Sequence, residues 1–333
     1  MTQNAAPRKV KSVSYAKWGY IFLIPFFLTF TIFTIIPLGR TFYYSLFEQR
    51  MEGLTQVAGQ FVGLDNFVKL FKETNILTNL GNTVTMWLLG FIPQIIASLA
   101  LAVWFTDHIM KIKYQPFFKT VIYMPNLIMA SAFSMLFFVL FSNEGPVNKI
   151  IMSLGMEQYR FLAEPFGSRF LIALMNFMMW FGNTTIILMA AIMGIDTSMF
   201  EAAEIDGASA WKTFTHVTIP MIMPVLSYTL ITSLIGGLQM FDVPQILTSA
   251  RGMPATPTNP GVNRTVIMQL NSIIGQSKNY GEGGALSVVL FIITAILGMI
   301  VFYSLNGNER EAKKLAREGQ RKVAMMKKGG AKA

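Results

Sequence analysis

Six long apolar stretches constrain this chain more than any other feature of its sequence. They lie at Trp18–Leu38, Thr83–Phe105, Thr120–Phe141, Phe170–Gly194, Ile219–Phe241 and Gly284–Leu305. Each is long enough to span a bilayer, because a helix of ~20 residues crosses ~30 Å of hydrocarbon. Only 13% of the residues are charged, against about 25% in soluble domains. The sequence therefore predicts an all-α integral membrane protein with six transmembrane helices in one domain, 18–305, between two tails, 1–17 and 306–333.

The distribution of basic residues predicts the orientation of these spans. When alternate connecting segments are assigned to the cytoplasm, 17 of the 27 Lys and Arg fall on that side, nine of them in the C-terminal tail. The positive-inside rule then places both tails in the cytoplasm. The segment 195–218, called the acidic loop below, is cytoplasmic in this arrangement, and the Pro- and Gly-rich segment Ser249–Asn263 is external. The basic C-terminal tail adjoins a span and lacks interleaved aromatic residues, which favours membrane lipid as its partner and no nucleic acid.

The groups that ion-driven carriers and enzymes commonly use are missing from the spans. No Lys, Arg, Asp or Glu lies in the middle of a span, and Asp242 stands at the edge of the fifth. Ion-driven carriers commonly place such a group near the midplane. A phosphate-binding loop is excluded because the chain has no Gly-Lys dipeptide; it also has no cysteine, and His108 and His216 are far apart. The sequence predicts no catalytic residue, no metal site and no cofactor bound by this chain, so another chain would supply the energy for uphill transport.

The acidic loop contains more helix start and stop signals than a connection between two spans requires. Its Ser198-Met-Phe-Glu201 sequence has the pattern of a capping box, which predicts a helix over Met199–Asp206. Gly207 then stands where a helix ends. A second short helix is predicted over Trp211–Val217, with Trp211 and Phe214 on one face. An acidic segment suits a protein partner better than the negatively charged inner membrane surface; the alternative is a plain connector.

The acidic loop resembles the EAA loop of binding-protein-dependent ABC importer permeases. The residues that carry the resemblance are EAAEIDGASAWKTFTHVTIPMIMP, with Glu201-Ala-Ala, Asp206-Gly-Ala and Ile219-Pro220 in register. VGLDNFVKLF at 62–71, MPNLIMASAFSMLFFVLF at 124–141 and GALSVVLFIITAIL at 284–297 resemble the carbohydrate branch of the family, of maltose and multiple-sugar type. The resemblance implies the type I ABC importer permease fold and a place in a bacterial cell membrane.

The same resemblance implies a set of partners. They are a second, homologous permease subunit, two cytoplasmic ATPase subunits that bind ATP and Mg, an extracellular or periplasmic solute-binding protein, and a carbohydrate, expected to be an oligosaccharide. This chain would not be an enzyme. In the family the EAA loop forms a coupling helix that docks on an ATPase subunit, which assigns ATPase coupling to Glu201, Ala202, Ala203, Asp206 and Gly207.

Two groups of residues in the fourth and fifth spans are candidates for the path of the sugar. Helical spacing places Trp180, Asn183 and Thr184 on one face, where an indole and polar groups could contact a sugar ring. Small and polar residues of the fifth span could give a ligand room: Ser233, Gly236, Gly237 and Gln239. The resemblance to maltose-type permeases adds Phe181, Gly182 and Thr185. The alternative for every one of these positions is helix packing, which small residues commonly serve in membranes.

Two other functions remain open at this level. The same machinery could carry another cargo, such as a glycerol phosphodiester. The chain could also be an autonomous secondary carrier or facilitator, which would move its substrate without an ATPase.

Overall fold

The computed structural model describes residues 16–53, 55–107, 112–249 and 263–305. The predicted tails, 1–17 and 306–333, and the predicted external loop at Ser249–Asn263 fall almost wholly outside these residues. Within them, five helices are long and apolar enough to cross a membrane, and a bent helix pair makes a sixth candidate. The prediction of six transmembrane helices is confirmed, with a correction to the shape of the third.

The helices before the acidic loop are mostly longer than the apolar stretches that predict them. Their bounds are α1 Ala16–Phe30, a π-helical turn Thr31–Ile35, α2 Ile36–Ser45, α3 Asp65–Glu73, α4 Ile76–Thr106, α5 Gln115–Tyr123, a 3₁₀ turn Met124–Leu127, α6 Ala130–Leu140, α7 Pro146–Ser153 and α8 Pro165–Met193. The first span is therefore one continuous helical stretch, Lys17–Ser45. Hydropathy underestimates these helices because their ends carry polar residues beyond the hydrocarbon.

The remaining helices begin in the acidic loop. Their bounds are α9 Thr197–Ile205, α10 Ala210–Thr213, a π-helical stretch Phe214–Thr218, α11 Ile219–Leu238, α12 Asp242–Ser249, α13 Val266–Asn271, a π-helical turn Ser272–Gln276 and α14 Tyr280–Leu305. The predicted second short helix of the acidic loop is not a separate element, because α10, the π-helical stretch and α11 follow one another without a break.

The third predicted span, Thr120–Phe141, is broken in the middle. Two helical pieces, Gln115–Leu127 and Ala130–Leu140, meet at an angle of 92°. Ile128 and Met129 are both extended between them, and Pro125 lacks the backbone donor that an uninterrupted helix would use there. The Asn126 side chain donates to the carbonyl of Met179 on α8 at 2.9 Å, which fixes the broken point against the bundle.

A β-hairpin is the one departure from the predicted all-α fold within the described residues. Strand β1, Phe47–Glu52, pairs antiparallel with β2, Thr55–Phe61. Gly53 in the turn has φ +65°, a conformation that glycine adopts without strain. The hairpin also joins the segment before α14, because the amide of Met51 donates to the carbonyl of Lys278 at 3.1 Å.

The core of the bundle forms where α4 packs along α8. The side chain of Gln94 donates to the Thr184 hydroxyl at 2.9 Å in a buried position, and the Ser98 hydroxyl donates to the carbonyl of Phe181 at 2.9 Å. Gly90 faces the Ala173 backbone so closely that a Cβ would lie 2.9 Å from its carbonyl oxygen. Small residues and interhelical hydrogen bonds are the usual means of helix association in membranes.

Candidate functional site

The first helix of the acidic loop begins two residues earlier than predicted and has a different cap. Helix α9 starts at Thr197, and the Asp196 carboxylate accepts from the amide of Ser198 at 3.0 Å. The predicted capping box of Ser198 and Glu201 is therefore wrong, because Ser198 already lies within the helix. The hydrogen bonds from Ser198 hold the pKa of Asp196 below its usual value. A carboxylate at this position suits the positive end of the helix dipole.

The turn after α9 depends on glycine, as the sequence predicts. Gly207 has φ +69°, the left-handed conformation in which a Cβ is strained. Around it the amide of Ala208 donates to the carbonyl of Ala203 at 2.9 Å, and that of Gly207 to Glu204 at 3.0 Å. The next helix has its own cap, since the Ser209 hydroxyl accepts from the amide of Lys212.

The acidic loop exposes carboxylates on one side and buries apolar residues on the other. Glu201, Glu204 and Asp206 are all exposed, and within the described residues no ion pair is found for any of them. Phe200 instead packs against the buried cluster that holds Ile195 and Ile222. The exposed carboxylates are thus available to another molecule, while the loop itself is anchored to the bundle.

The two alanines of the loop have different environments. Ala202 is exposed, whereas Ala203 is only 9% exposed. Ala203 is thus buried within its own chain, and α9 as a whole contacts the π-helical stretch Phe214–Thr218. Of the two alanines that the resemblance assigns to ATPase coupling, only Ala202 is open to another subunit in this conformation.

Two large apolar side chains on the acidic loop were missed as candidates. Ile205 is 87% exposed and Trp211 is 71% exposed; Ile205 lies outside the candidate spans, and Trp211 lies in the first turn of the helix that forms the fifth. Trp211 shares a face with Phe214, as predicted, with ring centroids 5.6 Å apart. Ile205 lies between Glu204 and Asp206 in the sequence, and single exposed apolar residues are common on protein surfaces, so the sequence held no distinct signal for it.

The candidate path residues of α8 divide into exposed and buried positions. Trp180 is 49% exposed and Asn183 is partly exposed. Thr184 and Thr185 are buried and already hydrogen-bonded, Thr184 to Gln94 and Thr185 to the carbonyl of Phe181 at 2.7 Å. The predicted common face of Trp180, Asn183 and Thr184 therefore does not extend to Thr184, because that side chain points into the contact with α4.

The candidate glycines divide in the same way. A Cβ on Gly182 would lie 1.9 Å from the carbonyl oxygen of Ile122, and one on Gly237 would lie 2.1 Å from the indole of Trp87. Both glycines serve close packing in this conformation. Gly236, in contrast, has nothing within 4 Å of such a Cβ and is exposed.

The other two candidates of the fifth span also differ from each other. The Ser233 hydroxyl accepts from the Trp87 indole nitrogen at 3.0 Å, next to the Gly237 contact. Gln239 is exposed and immediately follows α11. The structure therefore leaves three of the ten candidates clearly exposed: Trp180, Gly236 and Gln239. Asn183 and Phe181 are only partly exposed.

Comparison with known proteins identifies the class to which this fold and loop belong. Residues 95–310 match the family model described as the binding-protein-dependent transport system inner membrane component. The chain belongs to this family, whose model covers the broken third span, the acidic loop and the last three spans.

Individual relatives extend the similarity over almost the whole chain. The lactose transport system permease protein LacF of Rhizobium radiobacter is 31% identical over 86% of this chain and 93% of its own. The arabinooligosaccharides transport system permease protein AraP of Bacillus subtilis is 28% identical over 84% of this chain and 86% of its own. A solved bacterial ABC transporter for the acidic polysaccharide alginate has a TM-score of 0.73 at 22% identity, over 87% of this chain and 95% of that one. The fold is thus that of an ABC importer permease.

Proposed function

We propose that this chain is a permease subunit of an ATP-driven, binding-protein-dependent importer of a carbohydrate, as an oligosaccharide. The observation that carries the proposal is the acidic loop, which is anchored to the bundle yet exposes three carboxylates and the apolar Ile205 and Trp211. The names of the relatives, which concern lactose and arabino-oligosaccharides, support a sugar as cargo. The family description supports a binding protein as a partner.

In this proposal the acidic loop couples the spans to a cytoplasmic ATPase subunit. Glu201 and Asp206 offer charge to a basic surface, and Ala202 permits close approach. Ile205 and Trp211 add apolar contact area. ATP and Mg act on the two ATPase subunits, whose closure shifts the spans between inward- and outward-open states together with a second permease subunit.

A pair of glycine substitutions tests whether the acidic loop couples. Gly207→Val strains a turn at φ +69°, and Gly155→Val strains one at φ +80° in the loop after α7; an added Cβ at either position meets no described atom within 4 Å. We expect Gly207→Val to insert normally but to lose at least tenfold in ATP-driven uptake and to recover little ATPase on purification. Gly155→Val should keep both the ATP-driven uptake and the normal recovery of the ATPase. Equal losses of uptake and ATPase recovery in the two variants would mean that the losses come from backbone strain and not from impaired coupling.

The two alanines give a second test at the same site. Ala202→Trp adds an indole on the exposed side, so we expect a stable chain that no longer co-purifies with the ATPase. Ala203→Trp adds it on the buried side, so the chain itself should become less stable. Normal ATPase recovery with Ala202→Trp would show that this face of α9 is not the docking surface.

Uptake by reconstituted proteoliposomes separates the importer from the alternatives. The full complex should take up labelled oligosaccharide only with ATP and binding protein. Uptake by this chain alone, driven by an ion gradient, would instead support a secondary carrier. Competition by a glycerol phosphodiester but not by sugars would support the other cargo.

The orientation is part of the proposal and has its own test. Tags at Asn4 and Lys332 should both be accessible from the cytoplasm, and a tag at Asn259 only from outside the cell membrane. Termini on opposite sides would require an odd number of spans and would contradict the assignment.

The cargo path is proposed at the open positions of α8 and α11. A Cβ at Gly236 meets no described atom within 4 Å, so with Gly236→Trp assembly should persist while uptake falls at least tenfold. Gly298→Trp in α14 is the matched control, because an added Cβ there also meets no described atom within 4 Å. Unchanged uptake with Gly236→Trp would remove Gly236 from the path.

A further inference from the structure

Helix α3 carries a second apolar face that the fold does not use. Its buried face consists of Asn66 and Leu70, which are 6% and 0% exposed. On another side of the helix, Leu64, Val68 and Phe71 are 66%, 45% and 52% exposed. Because they are spaced by four and three residues, and the amide of Val68 donates to the carbonyl of Leu64 at 3.0 Å, these three side chains form one stripe. We call it the α3 stripe.

Both ends of α3 are fixed at the ends of membrane spans. The amides of Val62 and Gly63 donate to the carbonyl of Leu46, at 3.0 and 3.1 Å, one residue beyond the end of α2. The Asn66 side chain donates to the carbonyls of Ser45 and Phe47, at 3.0 and 3.1 Å. At the other end, α4 begins only three residues after α3 ends. The helix therefore lies at the level where the first span finishes and the second begins.

The lengths of those spans place this level in the headgroup region. The first span has 29 residues and α4 has 31, which at 1.5 Å per residue correspond to about 43 and about 46 Å. A bilayer measures about 40–45 Å including its headgroups, around a hydrocarbon core of about 30 Å. The shared end of these two spans consequently lies near the polar boundary of the membrane and not far out in water.

Among the charged residues of α3, which include Asp65 in its first turn, the two lysines fit the same location. Lys69 and Lys72 are exposed and belong neither to the buried face of Asn66 and Leu70 nor to the α3 stripe. Long lysine side chains reach the headgroups from an interfacial helix while their stems cover apolar surface. Amphipathic helices with an apolar face and lysines on the polar face commonly lie in this interface.

We propose that α3 is an interfacial membrane-binding helix, with the α3 stripe in contact with lipid acyl chains and Lys69 and Lys72 at the headgroups. The helix anchors the hairpin of β1 and β2 to the membrane surface, since the hairpin lies between the end of α2 and the start of α3. This inference concerns a lipid contact and holds whichever cargo the importer carries.

The absence of cysteine from the chain makes a clean labelling experiment possible. Val68→Cys and Lys69→Cys are neighbours on different faces of α3, and Phe71→Cys and Lys72→Cys repeat the comparison one turn later. Each variant is nitroxide-labelled in the importer complex and reconstituted into liposomes with anionic lipid. The increase in nitroxide spin relaxation caused by oxygen, which partitions into the bilayer, is compared with the increase caused by a water-soluble nickel chelate. The wild-type complex carried through the same labelling gives the background from partner subunits.

We expect the ratio of oxygen to nickel accessibility to be several-fold higher at positions 68 and 71 than at 69 and 72. Low accessibility to both reagents at 68 and 71 would mean that a protein, such as the second permease or the binding protein, covers the α3 stripe, and would overturn the proposal. High nickel accessibility at all four positions would place α3 in water and would also overturn it. Leu64→Cys replaces either stripe variant if that variant does not assemble.

Discussion

The first and fourth spans are helices of equal length in opposite surroundings. Lys17–Ser45 and Pro165–Met193 contain 29 residues each. Within the most apolar part of each, no residue of the first span is buried, against 44% in the fourth, although the first span has the higher mean hydropathy. In a membrane, therefore, hydropathy does not predict which helix is central. Lipid tails solvate apolar side chains as well as a protein interior does, so close packing and hydrogen bonds decide burial.

The largest effect should come from filling a buried glycine of the fourth span. Gly182→Leu would force a side chain into the backbone of Ile122, which cannot move aside as a side chain could. Overpacking commonly costs about 1–3 kcal/mol, and the contact here is closer than in ordinary overpacking, so we expect most of the folded chain to be lost. The measurement is the monodisperse fraction and thermal midpoint in detergent.

Gly19→Leu in the first span is the matched control for this prediction. No atom of the described chain lies within 4 Å of a Cβ at Gly19, so the thermal midpoint should not change. If both substitutions lower the midpoint equally, the contrast between the two spans does not describe the protein in solution.

A smaller effect is expected for adjacent glycines within the fifth span. Gly237→Ala must displace the indole of Trp87, which also loses its hydrogen bond to Ser233; since that side chain can move, we expect a loss of about 1–3 kcal/mol. Gly236→Ala should be neutral for stability. Thermal midpoints of the two variants measure the difference, and a stable Gly237→Ala would show that Trp87 does not pack there.

The smallest effect is expected for one buried hydrogen bond. Thr184→Val removes the acceptor of Gln94, and interhelical hydrogen bonds of this kind contribute on average about 0.6 kcal/mol in membrane proteins. Thr29→Val in the first span removes only hydrogen bonds to its own helix, to Pro25 and Phe26, and should have no measurable effect. Unfolding in mixed detergent compares the two, and an equal response would mean that the buried bond adds nothing.

The sequence predicted the number of spans, the turn at Gly207 and the paired faces of Trp211 and Phe214, since each follows from local composition or backbone conformation. It did not predict the right-angle break after Leu127, because hydropathy averaged over a window stays high across a chain that changes direction. The hairpin was also missed, although Glu48, Arg50 and Glu52 alternate along β1 as strand residues do.

Burial at the candidate path was the least predictable feature. Gly236 and Gly237 are the same residue type and adjacent in sequence. Gly236 is nevertheless open, whereas Gly237 packs against Trp87, a residue about 150 positions away in the chain. No local pattern distinguishes them, because the rotation of a helix is set by whatever packs against it. For the same reason Ala202 and Ala203 could not be told apart.

The continuity of α10, the π-helical stretch and α11 has a mechanical consequence. From Ala210 to Leu238 the chain is helical without interruption over 29 residues, about 43 Å at α-helical rise; the π-helical stretch and Pro224 are the points at which it can bend. A tilt of a few degrees applied at Trp211 displaces the far end, beside Gly237 and Trp87, by several ångströms. The fifth span is in this sense a lever arm, and its stiffness determines how far a push at one membrane surface is felt at the other.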